Sequence, residues 1–330
     1  MTQDHSGEDS LIARYFKPLA TDPGAFGLVD DAAIIPSDGT DLVVNTDAIV
    51  EGVHYLPDDP PDTIARKALR VNLSDLAAKG AVPAGFVLTL ALREKDEAWL
   101  EAFARGLGED AAAFGCPLLG GDTVSTPGPV MISIAAWGRV PKGRMVHRFG
   151  ASRGERVMVT GSIGDAALGL RMLTGGAEAA ALADDPAARD MLISRYRLPQ
   201  PRNALAAVVR DFATASMDVS DGLAGDLAKL CAASGVSADV ELSHVPTSPA
   251  ATRLLSIGAT AWESLISGGD DYEILCTVPV AQCEAFRAAA NAAGVAVTDI
   301  GAIVDGAHTP RFLDGQGRPV TLRRLSFSHF

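Results

Sequence analysis

Positive charge is scarce in this chain of 330 residues: 28 Lys and Arg stand against 41 Asp and Glu, a formal net charge of −13. A chain this acidic is a poor partner for a phosphate backbone, so nucleic acid is not an expected ligand. Long apolar runs are missing too. The longest stretch without a charged residue, Thr123–Gly138, has 16 residues and holds Pro127 and Pro129, so no membrane span is expected. The chain has only four cysteines, at 116, 231, 276 and 283, and none in C-x-x-C spacing. They read as small core residues rather than a disulfide frame or a zinc site. The first residues, Met1 to Asp9, are polar and acidic, which gives no expectation of a signal peptide and leaves the cytosol as the default compartment. Neither a G-x-x-x-x-G-K-[ST] loop nor a strand-borne G-x-G-x-x-G is present, so the common nucleotide motifs fail. There is no low-complexity segment, no short repeat and no D-x-D-x-D-G calcium loop.

What is present is ordinary globular material, 48% apolar and 21% charged. At roughly 100–200 residues per domain, the length suggests about two domains. Helical and strand patterns alternate. Leu11, Ile12, Tyr15, Phe16 and Leu19 have helical spacing, and Asp41 to Asn45 reads as a strand ending at Thr46-Asp47. Pro61 opens a helix stopped near Gly80; Phe86–Leu92 is a strand, Asp96–Phe114 a helix and Val130–Trp137 a strand. Further helices are expected near 164–174, 186–197 and 200–211, and strands near 214–218, 237–242 and 272–278. A break at Gly150-Ala-Ser-Arg-Gly-Glu precedes the apolar run at Val157, which divides the chain into 1–150 and 151–330. The class is α/β or α+β.

The chemistry is carried by aspartates at expected element ends: Asp30-Asp31, Asp47, Asp75, Asp122, Asp218, Asp221 and Asp270-Asp271. A single such carboxylate is an ordinary cap or turn residue. The joint pattern says more. Asn72 and Asp75 share one helix face, Asp218 and Asp221 have the same spacing at a strand-to-helix junction, and Gly120-Gly-Asp-Thr ends an apolar strand. Converging carboxylates repel unless cations neutralise them, and hard oxygen ligands without clustered His or Cys favour Mg²⁺. Mg²⁺ held by a few carboxylates and substrate phosphates is a usual way for an acidic protein to bind ATP. His54 either binds substrate or caps a turn. Arg148 either holds a phosphate or is simply solvated. Ser220 reads first as an N-cap residue, Cys276 as core.

Six segments resemble the thiamine-monophosphate kinase family of the aminoimidazole-ribonucleotide-synthetase-like (PurM-like) ATP-binding superfamily. They begin at Gly27 (Gly-Leu-Val-Asp-Asp-Ala-Ala), Asn45 (Asn-Thr-Asp-Ala-Ile-Val-Glu-Gly-Val-His-Tyr) and Lys67 (Lys-Ala-Leu-Arg-Val-Asn-Leu-Ser-Asp-Leu-Ala-Ala-Lys-Gly-Ala). The others are Gly120-Gly-Asp-Thr, Met217-Asp-Val-Ser-Asp-Gly-Leu and Ser267-Gly-Gly-Asp-Asp-Tyr-Glu, in family order across nearly the whole chain. The resemblance implies transfer of the γ-phosphoryl group of ATP to thiamine monophosphate, with several Mg²⁺ ions. It implies metal ligands at Asp31, Asn45, Thr46, Asp47, Asp75, Asp122, Asp218 and Asp221, and ATP contacts at Gly121, Asp122, Arg148 and Ser220. Substrate contacts carry over to His54, Asp270 and Phe327. The implied fold has an N-terminal sheet that pairs with its twin into a dimeric barrel and a C-terminal α/β domain that closes the active site. The chain departs from the family pattern at Val29 (usually Gly), Asn45 (usually Ser or Thr) and Asp270 (usually Glu). Two alternatives stand beside it: another ATP-dependent enzyme of the superfamily, of the cyclo-ligase or hydrogenase-maturation type, and a non-enzymatic cation-binding protein.

Overall fold

The computed structural model describes residues 26, 27, 29, 30, 32–37 and 39–326; the helix expected around Leu11–Leu19 lies outside them. The first half supplies β1 (Ala33–Pro36), β2 (Thr40–Val50), α1 (Pro61–Ala78), β3 (Val82–Leu92), α2 (Glu97–Ala113), β4 (Leu118–Ser125) and β5 (Met131–Pro141). Its five strands form one open sheet in the order β1-β2-β5-β3-β4, antiparallel except for the parallel β3–β4 pair.

The second half begins with β6 (Arg156–Thr160) and the helices α3 (Asp165–Leu173), α4 (Ala177–Ala181), α5 (Pro186–Arg197) and α6 (Ala206–Phe212). It continues with β7 (Ala215–Asp218), α7 (Leu223–Ser234), β8 (Ser237–Glu241), α8 (Pro249–Ser256), α9 (Trp262–Ile266) and β9 (Ile274–Val278). It ends with α10 (Cys283–Ala292), β10 (Val297–Val304) and β11 (Arg311–Leu313). The second sheet has six strands, β11-β8-β10-β6-β9-β7. Both halves therefore mix sheet and helix, as the α/β reading requires.

Helix α1 joins the halves. Pro61 at N1 has the fixed φ that suits a first turn, and Gly80 at φ +72° closes the C-terminal end. Twelve of its 18 residues are buried, among them Lys67, Asn72 and Ser74. Such a helix has no wide solvent face. One side packs on β2 and β5 and the other on β7, β9 and α6. Buried polar groups on it must find partners, and those partners build the site.

The strand expected at Phe86–Leu92 starts earlier, at Val82, and the one at Val130–Trp137 runs on to Pro141. The helix expected near 200–211 begins only at Ala206, after a tight turn at Asn203–Leu205. Three further changes bear on the site. Strand β2 does not end at Thr46-Asp47 but continues to Val50, because its full register with β5 pairs Thr40 with Pro141 through Val50 with Met131. Gly120-Gly-Asp-Thr lies inside β4, a fully exposed edge strand, rather than at a strand end. Ser220 does not cap α7, for Gly222 takes the N-cap position without a side-chain cap. The cysteines are free and buried, as expected. Val29 is not where the chain turns left-handed, since positive φ falls on Phe26 and Gly27 beside it.

Candidate active site

Alternation along β2 puts Asn45 and Asp47 on the face covered by α1. The Asn72 carboxamide accepts from the Asp47 backbone N–H (3.1 Å) and from Asn45 Nδ2 (3.3 Å), while its own Nδ2 donates to the Ala68 carbonyl (3.0 Å). Asn45 Nδ2 also donates to the Asn72 carbonyl (3.1 Å) and to Asp75 Oδ2 (2.8 Å). These bonds fix which end of the Asn45 amide carries oxygen, and that oxygen is buried with no hydrogen-bond partner. Asn72 and Asp75 thus face β2 together, as their spacing predicted.

From the second half come Asp218, at the end of β7, and Asp221. The segment carrying them is zipped to the Asp270–Glu273 segment. Tyr272 N donates to the Val219 carbonyl, Val219 N to the Glu273 carbonyl and Asp270 N to the Ser220 carbonyl, each at 2.8 Å. Gly222 has φ +116°, and a Cβ there would meet the Gly268 oxygen at 2.9 Å, so glycine permits the close approach of the two loops. Asp226 accepts from the Asp221 and Gly222 N–H groups at 3.0 and 3.2 Å, and Lys229 bridges Asp221 and Asp226.

The carboxylates feel one another across the halves. Asp47 has solvent on one side, yet desolvation by the surrounding protein and then repulsion from Asp221 raise its carboxyl to about 6. Burial raises Asp218 to about 7, with Asp226 and Asp47 adding to the rise and a Ser74 hydrogen bond opposing it. Asp75 is pushed well up by burial and then by Asp218 and Asp47. The Arg148 guanidinium senses Asp30, Asp226, Asp218 and Asp221, so a cation stands among these acids. Asp30 is the exception. Burial alone would raise it, but Lys79 at 2.9 Å, His147 and the Arg148 N–H hold it well below the ordinary carboxylate range.

Divalent ions fit this donor set. The unpartnered Asn45 oxygen and the mutually repelled carboxylates of Asp47, Asp75 and Asp218 are hard oxygen donors. Among the described residues no three His, Cys, Asp or Glu side chains gather round a single ion-sized point. The acids are strung along the contact between the halves, so an ion held there would need water or substrate phosphate to complete its shell.

Not every expected ligand joins them. Thr46 lies on the opposite face of β2, where its hydroxyl donates to the Ile134 carbonyl (3.0 Å). The register Ala48–Ser133–Thr89–Asp122 places Asp122 on that same outer face, three strands away, about 14 Å at the usual strand spacing. Gly121 sits beside it on β4. Asp31 and Phe327 lie outside the described residues.

A second polar group lies at the Asp270 loop. Lys67 Nζ donates to the His54 carbonyl (2.8 Å) and to Asp270 Oδ2 (2.7 Å) and lies 4.0 Å from the Tyr196 ring centroid. His54 Nδ1 accepts from Val50 N at 3.0 Å. Behind this loop the fully buried Glu273 accepts from Thr160, Arg195 and Arg202. Lys67, Lys79, Asp226, Lys229 and the Glu273 pairings carried no role in the sequence reading. The available signal for the two lysines was their place at either end of a helical run, Lys67 to Lys79, that also carries Asn72 and Asp75.

Comparison with known proteins gives a consistent result. Residues 29–140 match the N-terminal domain of AIR synthase related proteins and residues 152–313 their C-terminal domain. A thiamine-monophosphate kinase of Caulobacter vibrioides is 46% identical over 324 residues, covering 96% of this chain and 89% of the relative. The crystal structure of the thiamine-monophosphate kinase of Stenotrophomonas maltophilia is 37% identical with a TM-score of 0.78, covering 96% of this chain and 98% of that one. AaThiL complexed with AMPPCP and TMP has a TM-score of 0.79 at 28% identity, with 93% and 97% of the two chains covered.

Proposed function

The chain belongs to the thiamine-monophosphate kinase family of AIR synthase related proteins, and on that premise we propose how its residues serve the reaction. It transfers the γ-phosphoryl group of ATP to thiamine monophosphate, giving thiamine diphosphate and ADP. The observation that carries the site assignment is the meeting of Asn45, Asp47 and Asp75 from one half with Asp218 and Asp221 from the other, beside Arg148. We assign Mg²⁺ to these side chains, with Asp31 as a further ligand. Bound Mg²⁺ would neutralise charge on the phosphates and on the acids that hold it. The chain's own work is alignment: Arg148 and Ser220 face the ATP phosphates, while His54, Asp270 and Phe327 hold thiamine monophosphate. The acceptor is a phosphate monoester with a second pKa of about 6, already ionised at neutral pH, so no strong base is required. Positioning and charge neutralisation are what phosphoryl transfer chiefly asks of a protein.

Thr46, Gly121 and Asp122 belong in this reading to the outer face and edge of the first sheet. That edge exposes Leu118, Leu119 and Val124, at 48, 61 and 44% of their surface. An open apolar edge strand invites a partner. We assign a second copy of the chain, completing a barrel through residues 1–150, with residues 151–330 closing over the nucleotide. No described helix is long and apolar enough to cross a membrane, and the cytosol is the compartment this reading implies. The family membership sets aside the cyclo-ligase, hydrogenase-maturation and cation-binding alternatives. A coupled ADP assay tests the proposal: ADP should appear only with thiamine monophosphate and Mg²⁺ both present, and formation independent of thiamine monophosphate would overturn it.

A further inference from the structure

We propose that Lys67 is a positioning residue for thiamine monophosphate, fixing the Asp270 carboxylate and the His54 backbone in one register across the two halves. The inference rests on the reading above that His54 and Asp270 face this substrate. Lys67 is 2% exposed, and its ammonium meets three partners: the His54 carbonyl at 2.8 Å, Asp270 Oδ2 at 2.7 Å and the face of the Tyr196 ring at 4.0 Å. A buried ammonium is costly unless its donors are satisfied, so the group stands or falls as a unit. The partners come from different parts of the chain: the turn after β2, the end of α5 and the loop before β9.

Asp270 shows the marks of a constrained functional side chain. It keeps 25% of its side chain exposed although one oxygen is held by Lys67. Its φ is +72°, and that of Tyr272 is +50°, a conformation costly for residues other than glycine. The backbone bond from Asp270 N to Ser220 O and the pull of Lys67 on Oδ2 hold it there. With Oδ2 committed to Lys67, Oδ1 accepts from the Tyr272 hydroxyl at 3.4 Å and keeps a further lone pair suited to accept from an amino group of the aminopyrimidine ring. Lys67 therefore decides which carboxylate oxygen meets the substrate and how rigidly. A residue acting this way affects recognition of thiamine monophosphate and leaves ATP handling alone.

The test is a kinetic comparison of Lys67→Met, Lys67→Arg, Asp270→Asn and the double variant Lys67→Met/Asp270→Asn. Methionine keeps the packing against Tyr196 and removes the charge. Lys67→Met should raise KM for thiamine monophosphate about tenfold, with kcat and KM for ATP within about twofold of the wild type. Lys67→Arg should recover part of the loss. In the Asp270→Asn background, Lys67→Met should add less than about twofold, because the carboxylate it positions is gone. A folded Lys67→Met enzyme with an unchanged KM for thiamine monophosphate would overturn the proposal. So would a parallel rise in both KM values, or effects that multiply in the double variant. If Lys67→Met lacks a cooperative melting transition, Lys67→Arg carries the test. It should raise KM for thiamine monophosphate and not for ATP, and no rise overturns the proposal. A wild-type protein that forms no ADP with thiamine monophosphate contradicts the proposed function instead, a result seen before any variant is made.

Discussion

Replacing Asp218 by Asn should stabilise the metal-free protein while ending its turnover. Asp218 is 4% exposed, and its carboxyl is raised from 3.8 to about 7 by burial first and then by Asp226 and Asp47. At about 1.4 kcal/mol per pKa unit, a rise of about 3 units opposes folding at neutral pH by on the order of 4 kcal/mol. The sign follows from proton uptake. Between pH 4 and 7 the unfolded carboxyl has released its proton and the folded one retains it, so stability falls as pH rises through that window and levels off above it. Asparagine removes the titration but keeps only part of the Ser74 hydrogen bond, which leaves an expected net gain of about 1–3 kcal/mol at pH 8. Urea unfolding with a chelator, at pH 5 and pH 8, reads the difference. The gap between variant and wild type should widen from the lower to the higher pH, and added Mg²⁺ should stabilise the wild type more than the variant. A variant no more stable than wild type at pH 8, with a parallel pH dependence, would refute the claim that Asp218 is held against its charge.

Lys79 and Asp30 form a fully buried ion pair, and Lys79 also donates to the Ser216 carbonyl at 2.8 Å. Lys79→Met should cost about 3–5 kcal/mol in denaturant unfolding, because Asp30 stays buried beside His147 and the Arg148 N–H but loses its ammonium partner. Leu119→Asp, on the exposed edge β4, should leave the melting temperature of the isolated chain within a few degrees and shift light scattering from dimer to monomer; an unchanged dimer would contradict assembly through that edge. A Cβ at Gly225 would come within 2.4 Å of the Ser326 side chain, while Arg324 accepts at its carbonyl from Ser267 at 3.0 Å. Gly225→Val should therefore displace the C-terminal segment and raise KM for thiamine monophosphate about tenfold, with little further loss when Phe327→Ala is added; additive losses would separate Phe327 from that segment.

Much of the framework was legible because periodicity follows burial. The helices begun by Pro61 and by Asp96 appear within a residue or two of their expected bounds, and Asp96 caps its helix by accepting from Ala98 and Trp99. Strand ends were less legible. An aspartate inside a strand looks like a stop signal, yet β2 passes through Asp47 because β5 pairs with its whole length. The carboxylate set was legible by type and spacing. What the spacing could not give is sheet register, which separates Asp47 from Thr46 and Asp122 by face, and the cations that answer buried acids. Lys67 and Lys79 look like ordinary surface residues in a helical pattern. Only the packing of α1 between two halves makes them interior, and only there does their partner choice acquire meaning.

The central claim is that the acids at the contact between the halves align two phosphates for direct transfer. ATP labelled in the γ-phosphoryl group, incubated with the protein, Mg²⁺ and thiamine monophosphate, tests it most directly. The label should appear in thiamine diphosphate in equal amount to the ADP formed, and Asp75→Asn should abolish the transfer while the protein stays folded. Label released as inorganic phosphate, with no labelled thiamine diphosphate, would contradict the account.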